Sequence, residues 1–265
     1  MRLVKRSEVK LGRKTKMIEF CQELKESLKD FAKKHDLAEL YRKYSWKNDT
    51  WTNDFPSILN LEKDVGEKAK RNLVKEEDVR RVVKWGGGTL KVRWCETVRL
   101  SLYDERGHFK KEVGEHPSIA AQILKEQKEK GLISGLGITY LAKVLRFAAP
   151  SEFGAIDSRI VRVFGQGDNN SKQHNWLSLT ACPGEGEQRW AIREQSTWPK
   201  EYGKWIKMLR FLANLLNSEN SYCPHREPFI ESGLRQKGVW VCADVEMALF
   251  AYASQHINLG KPYCP

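Results

Sequence analysis

Cysteine is sparse and scattered in this chain. Six residues, Cys21, Cys95, Cys182, Cys223, Cys242 and Cys264, are spread over 265 positions without one C-x-x-C pair. Zinc sites built on paired cysteines are therefore not expected, and Cys223-Pro-His225 stands alone as a metal-ligand pair. Free thiols in a reducing compartment fit the spacing better than disulfides. Long apolar runs are missing too. No stretch approaches the ~20 residues that span a bilayer, and no apolar segment follows Met1-Arg-Leu-Val. Neither a membrane span nor a secretory leader is expected, and the cytoplasm is the expected location. Negative charge is outnumbered: 46 Lys and Arg against 34 Asp and Glu leave a net +12. That surplus favours a polyanionic partner, nucleic acid first. The acidic cluster of a metal-dependent nuclease is absent, as are internal repeats and low-complexity blocks.

The apolar periodicity is mostly helical. Lys5, Arg6, Lys10, Arg13 and Lys14 mark residues 1–15 as a basic tail. Ile18, Cys21, Leu24, Leu28 and Phe31 recur at three and four, predicting one or two helices from Thr15 to about Tyr44. A second stretch covers 58–71. A third runs from about Lys75 to Trp85, with Val79, Val82 and Val83 on one face, and stops at Gly86-Gly87-Gly88, a tight turn or a close backbone approach. Leu90, Val92 and Trp94 alternate as in a short strand, although an irregular connector over 90–103 fits as well. Pro117 opens a helix that presents Ile119, Ala120, Ile123 and Leu124 and ends at Gly131. Residues 167–197 read as a long polar loop. Trp198-Pro199 opens a helix to about Asn217, lined by Tyr202, Trp205, Leu209, Leu212 and Leu216. A last helix starts near Asp244, with Val245, Leu249 and Tyr252 inward.

The motif that carries chemistry is Leu132-Ile-Ser-Gly135-Leu-Gly137-Ile-Thr139-Tyr-Leu-Ala-Lys143. A turn that joins two helices at this spacing needs a residue tolerant of positive φ and one small enough for a phosphate to approach the backbone. The amides of the next helix turn, beginning near Ile138, then form an anion site. Leu132 and Leu136 would pack beneath it. Twenty residues past Gly137, Asp157 follows apolar Ala155-Ile156 and precedes Ile160, Val161 and Phe164, the pattern of a helix N-cap.

Hairpin, flanking helices and downstream Asp resemble the helix-hairpin-helix DNA glycosylase superfamily, most clearly over residues 117–165. Ala142-Lys143-Val-Leu-Arg-Phe147-Ala-Ala-Pro150, Asp157-Ser-Arg and Ala243-Asp-Val-Glu-Met-Ala-Leu-Phe250 are similar to its prokaryotic branch resembling 8-oxoguanine DNA glycosylases. The resemblance implies a mostly α-helical, two-lobed fold with the DNA and base cleft between the lobes. One lobe would comprise about 16–85 plus 199–265 and the other, with the hairpin, about 86–166. It implies a monomer that acts on duplex DNA, is nucleoid-associated, flips an altered base and cleaves its N-glycosidic bond. A four-cysteine iron–sulfur loop of some relatives has no counterpart here, so no such cluster is expected; a monovalent cation at the hairpin is compatible with the family.

The same resemblance assigns residues. Asp157 would stabilise the cationic sugar and orient water. Leu132, Gly135, Leu136, Gly137 and Thr139, with Ser158 and Arg159, would meet the DNA, and Tyr140, Trp198 and Trp240 are candidates for the base pocket. Members that also nick the strand carry a Lys two residues after the second glycine, where this chain has Thr139. The departure implies a monofunctional enzyme that uses water. Lys143, one turn further on the same face, can reach back because helical side chains tilt toward the N-terminus; a Schiff-base nucleophile at Lys143, and with it lyase activity, stays open. Arg146 and Arg162 are generic phosphate candidates. The substrate would be an oxidised purine, as in repair, or a bulky modified base of phage type, as in antiphage defence. Outside catalysis, a hairpin that only binds DNA is the alternative.

Overall fold

The computed structural model describes residues 21–89, 91–184 and 190–257. The basic run at 1–15, Ile18, Leu90 and Cys264 lie outside the described residues. The fold is mostly helical. The first expected helical stretch divides into α1 (Gln22–Lys34) and α2 (Leu37–Arg42) because Asp36 interrupts it: its carboxylate accepts the Glu39 N–H and caps α2. α3 (Pro56–Lys70) opens on proline, and α4 (Glu76–Trp85) carries three acidic residues in its first turn, where they suit the positive helix end. There follow α5 (Lys111–Glu115), α6 (Ser118–Glu129), α7 (Ile138–Ala148), α8 (Ser158–Phe164), α9 (Trp198–Ser218), α10 (Glu227–Glu231) and α11 (Cys242–His256). Three two-stranded ladders complete the described chain: β1 (Ser45–Trp46) with β2 (Asp49–Thr50), β3 (Arg93–Trp94) with β4 (Ile133–Ser134), and β5 (Ala181–Pro183) with β6 (Trp190–Ile192), all antiparallel.

α11 is the central helix. It is buried on every side from Cys242 to Ala253 and packs on α2, α8 and α9. Segments from both ends of the chain therefore share one body. α7 lies against α3, α4 and α6, and one continuous apolar core joins all these helices. No described helix is long and apolar enough to cross a membrane.

Two expectations change. Residues 167–197 are not a plain polar loop. Trp176, Leu177, Leu179 and Ala181 are buried, and the Trp176 indole N–H donates to Ser27 Oγ at 3.0 Å. Arg162, offered above as a phosphate contact, is buried. It holds Asp168 at 2.6 Å and Ser171 at 3.3 Å, and its guanidinium lies 4.3 Å from the Trp190 ring centre. Four apolar anchors and one buried ion pair dock a segment that is polar by composition. Over 91–103 both readings hold in part: Arg93–Trp94 is a strand, and the rest is a connector pinned by buried Val98, Leu100 and Leu102.

Beside α11 lies a buried chain of charges. Arg235 donates to both oxygens of Glu62 (2.7 and 3.1 Å) and to both of Asp244 (2.9 and 3.1 Å). Arg146 pairs with Glu62 at 2.6 Å, and His225 Nε2 lies 3.0 Å from Asp244. Arg146 is thus a core residue, not a surface phosphate contact. Cys223, His225 and Asp244 bring their ligand-type atoms within 4.8 Å of one another. Both Asp244 oxygens are already engaged by Arg235 and His225, and burial pushes the Cys223 thiol up, so the group is knit into the ion-pair chain.

Candidate active site

The hairpin divides its work between two glycines. Gly135 has φ +74°, and a Cβ there would stand 1.9 Å from the Lys91 carbonyl oxygen. It is glycine because the β3–β4 ladder brings the 91–94 chain against it. Gly137 has φ −85°, is exposed, caps α7, and a Cβ there would meet nothing within 4 Å. Leu136 and Ile133 are buried beneath, and Leu132 is half-buried. α7 begins without a side-chain cap, and its Tyr140 and Leu141 N–H groups turn back to the carbonyl of exposed Gly137 at 3.1 Å each.

Asp157 caps α8, as its sequence context predicts. Oδ1 accepts the N–H groups of Arg159 (2.9 Å) and Ile160 (3.1 Å), which leaves Oδ2 without a hydrogen bond among the described residues. The chain that delivers it is fixed from α9: Tyr202 Oη donates to Gly154 O at 3.0 Å and the Trp205 indole to Ala155 O at 2.9 Å.

Lys143, one helix turn along α7 from Thr139, sits in an aromatic cage. Its Nζ lies 5.4 Å from the Trp46 ring centre, 5.5 Å from Trp85 and 5.4 Å from Tyr140. The residue is 6% exposed, and no hydrogen bond reaches Nζ among the described residues. Burial pushes the amine below its ordinary pKa, and the positive charges of Arg159 and Lys47 push the same way; Asp157 and Glu246 oppose them. The cage is built locally. Asp49 accepts the Ser57 N–H (2.7 Å) and Ile58 N–H (3.2 Å) at the start of α3, and its other oxygen accepts the Trp85 indole N–H at 2.8 Å. The Trp46 indole donates to Trp85 O at 2.9 Å. Gly86 closes the cage: a Cβ there would stand 2.9 Å from Tyr140 Cε1 and 3.1 Å from Lys143 Nζ. One added to Gly88 would stand 2.5 Å from Tyr140 Oη. The three-glycine turn is thus a close backbone approach over the amine.

The remaining wall is α11, where Glu246, Phe250 and Ser254 follow at helical i+4 spacing. Arg159 lies 5.1 Å from both the Trp46 and Phe250 ring centres and donates to Ser254 Oγ at 3.2 Å. Glu246 is 6% exposed, meets Arg146 Nε at 3.7 Å, and is pushed up to about 7, chiefly by burial.

Of the residues singled out from sequence, Lys143, Asp157, Tyr140 and Arg159 meet in this one place. Ser158 and Thr139, both half-buried, begin the two adjoining helices. Arg159, half-buried, lies beside two aromatic rings and Ser254. Trp198 and Trp240 belong to the core. Trp198 is buried against Tyr202, and Trp240 packs on Tyr41 with its indole N–H on Ser221 O at 2.9 Å. The sequence reading missed Trp46, Trp85, Glu246 and Phe250. Glu246 carried a signal, a carboxylate amid the apolar run Val245 to Ala253. No family model matches the chain, and no curated protein or solved structure matches it either.

Proposed function

We propose that the chain is a DNA glycosylase of the helix-hairpin-helix kind, with a DNA cleft between two lobes and Lys143 as its nucleophile. The observation that carries this reading is the caged amine: Lys143 is buried, destabilised as an ammonium and electrostatically coupled to the N-cap carboxylate Asp157. An amine desolvated among rings is an activated nucleophile. The uncharged amine attacks C1′ of the flipped nucleotide; the C1′–N bond breaks with its electron pair on the departing base, which takes a proton. The nitrogen then gives up one proton to solvent, its lone pair forms the C=N bond as the C1′–O4′ bond breaks with its electron pair on O4′, and O4′ takes a proton from solvent to become the hydroxyl of the opened sugar, leaving a protonated Schiff base. Asp157, held at the α8 N-terminus, stabilises the positive charge that builds on the sugar. Gly137 and the first α7 amides grip a backbone phosphate, which fixes register without reading sequence. The partner is duplex DNA with an oxidised purine or a bulky modified base, met by a monomer at the nucleoid.

A second reading has its own support. Three rings surround Nζ, and Thr139 stands where strand-nicking relatives carry lysine, as suits a monofunctional enzyme in which Asp157 directs water. Borohydride trapping decides between them on duplexes that contain 8-oxoguanine, uracil, an alkylated purine or glucosylated hydroxymethylcytosine. A covalent adduct lost in Lys143→Met supports the amine. Excision without any adduct, with strand breaks only after alkali, assigns water. Tight DNA binding with no excision on every duplex overturns the glycosylase reading.

A further inference from the structure

One short hairpin fixes Trp85, at the end of α4, by three separate hydrogen bonds. β1 and β2 set Trp46 directly across from Asp49. The Trp46 indole donates to Trp85 O at 2.9 Å, Lys47 Nζ donates to Lys84 O at 2.8 Å, and Asp49 Oδ2 accepts the Trp85 indole N–H at 2.8 Å. The backbone is strained to allow this. Lys47 has φ +54° at a hairpin turn position usually given to glycine, and Asp54 and Phe55 follow at +65° and +49°. A bulky residue such as Phe55 keeps that conformation where its surroundings impose it, and such residues gather at functional sites. Asp49 is 1% exposed and has no ion-pair partner among the described residues; its other oxygen caps α3 through the Ser57 and Ile58 N–H groups. Lys143 Nζ lies 5.5 Å from the centre of the same Trp85 ring and also has no ion pair among the described residues. The indole therefore stands between a buried anion, bonded to its N–H, and a buried cation close to its ring.

We propose that Asp49 is a positioning residue that acts on Lys143 through the Trp85 indole. Its carboxylate fixes the ring beside the amine and, by accepting the N–H, enriches the π system that the ammonium meets. A hydrogen bond to an anion is stronger than one to a neutral acceptor, and it polarises the interaction next in line. An indole with added electron density attracts a cation more strongly. Asp49 thus offsets part of the burial that disfavours the ammonium, and it holds Lys143 in one place among three rings. The inference deepens the Lys143-nucleophile reading and rests on it for its catalytic meaning; the carboxylate–indole–amine series is a property of the protein alone. Other charges face the amine from the packed elements. The start of α8 supplies Asp157 and Arg159, α11 supplies Glu246 and the hairpin supplies Lys47, while Tyr44 lies toward Asp49. These charges stay in place when Asp49 alone is changed.

The test reads Lys143 without DNA. Competitive labelling of the full chain with cyanate across pH, followed on the Lys143 peptide by mass spectrometry, gives the midpoint of the amine. Asp49→Asn keeps a side-chain oxygen for the α3 amides and removes the charge. It is expected to lower the midpoint by about half a pH unit, a roughly threefold gain in labelling below it. A residue that only supports the cage predicts the opposite sign, because a loosened cage admits water and moves the amine up toward its ordinary value. A midpoint that rises or stays put in Asp49→Asn overturns the proposal. Should Asp49→Asn not fold, the reciprocal measurement stands, since coupling acts equally on both groups. Lys143→Met must then raise the midpoint of the Asp49 carboxyl, followed on the Trp85 indole N–H resonance, and coincident midpoints overturn the proposal. Borohydride trapping on the same proteins separates the two readings. A lowered midpoint without an adduct at any pH removes the nucleophile and keeps the role of Asp49; an adduct with an unmoved midpoint does the reverse.

Discussion

Two clusters of buried charge lie side by side around α11, joined by Arg146, and they are built on opposite rules. In the Arg146–Glu62–Arg235–Asp244–His225 chain, carboxylates and guanidinium groups meet through short contacts, bidentate where Arg235 is concerned. In the Lys143–Asp157–Glu246 group the amine has rings where a partner would be, Asp157 keeps one oxygen unengaged, and Glu246 holds a long contact. A buried charge without a close partner costs several kcal/mol. The difference is one of distance rather than completeness: the ion-pair chain itself leaves Arg146 Nε and Nη1 and His225 Nδ1 without a hydrogen bond, but its opposite charges meet closely, whereas those of the second group do not. Perturbed groups in a tight cluster are what reactive sites are made of.

The contrast can be broken by exchanging the roles. Lys143→Met is expected to lower excision by about 10³-fold, the scale of a lost nucleophile, with no fall in melting temperature because the cage receives an apolar chain of similar length. Arg235→Met should do the reverse: it takes the bidentate partner from Glu62 and Asp244, leaving them only Arg146 and His225, and costs about 3–5 kcal/mol, read as a drop of roughly 10 °C in a thermal melt. Asp157→Asn is next, with a loss of about 10²–10³-fold in activity and stability kept within about 1 kcal/mol, because Asn caps a helix as well as Asp; full activity in this variant would refute the role given to Asp157.

Acid and base sharpen the comparison further. A carboxyl whose pKa rises on folding favours the folded state fully below its unfolded value, and that contribution is lost as pH climbs to the folded value. Glu246, raised from 4.5 to about 7, therefore makes the protein less stable at pH 8 than at pH 4.5, by up to about 3 kcal/mol. Glu246→Gln should flatten that slope in denaturant titrations. The smallest effect lies at the hairpin. Gly137→Ala should leave the fold untouched and weaken DNA binding by roughly tenfold, one lost phosphate contact. Gly135→Ala, which forces a Cβ onto the Lys91 carbonyl at positive φ, should also destabilise the fold, by about 1–3 kcal/mol.

Much of this was legible in the chain itself. The helices could be read because Leu24, Leu28 and Phe31, or Val79, Val82 and Val83, repeat at the helical period. Asp157 could be read as a cap because apolar residues flank it. The cage could not. Trp46 and Trp85 are distant in sequence, and only the indole bond from Trp46 to the Trp85 carbonyl and the Asp49 bridge bring them to one amine. Trp198 and Trp240, chosen as pocket residues, carry the same side chain, and nothing local tells a core indole from a cage wall. α11 is apolar on all sides, so its periodicity could not say that Glu246 and Phe250 share the face that matters. Residues 167–184 were misread because isolated anchors such as Trp176 and Leu179 carry no period.

The carbonyl that makes Gly135 necessary belongs to Lys91, and only Thr89 and Leu90 separate Lys91 from the glycine turn that lies over Lys143. A change that displaces the Lys91 carbonyl therefore falls three residues from the turn whose Gly88 packs on Tyr140, so the two glycine sites answer to one stretch of sequence.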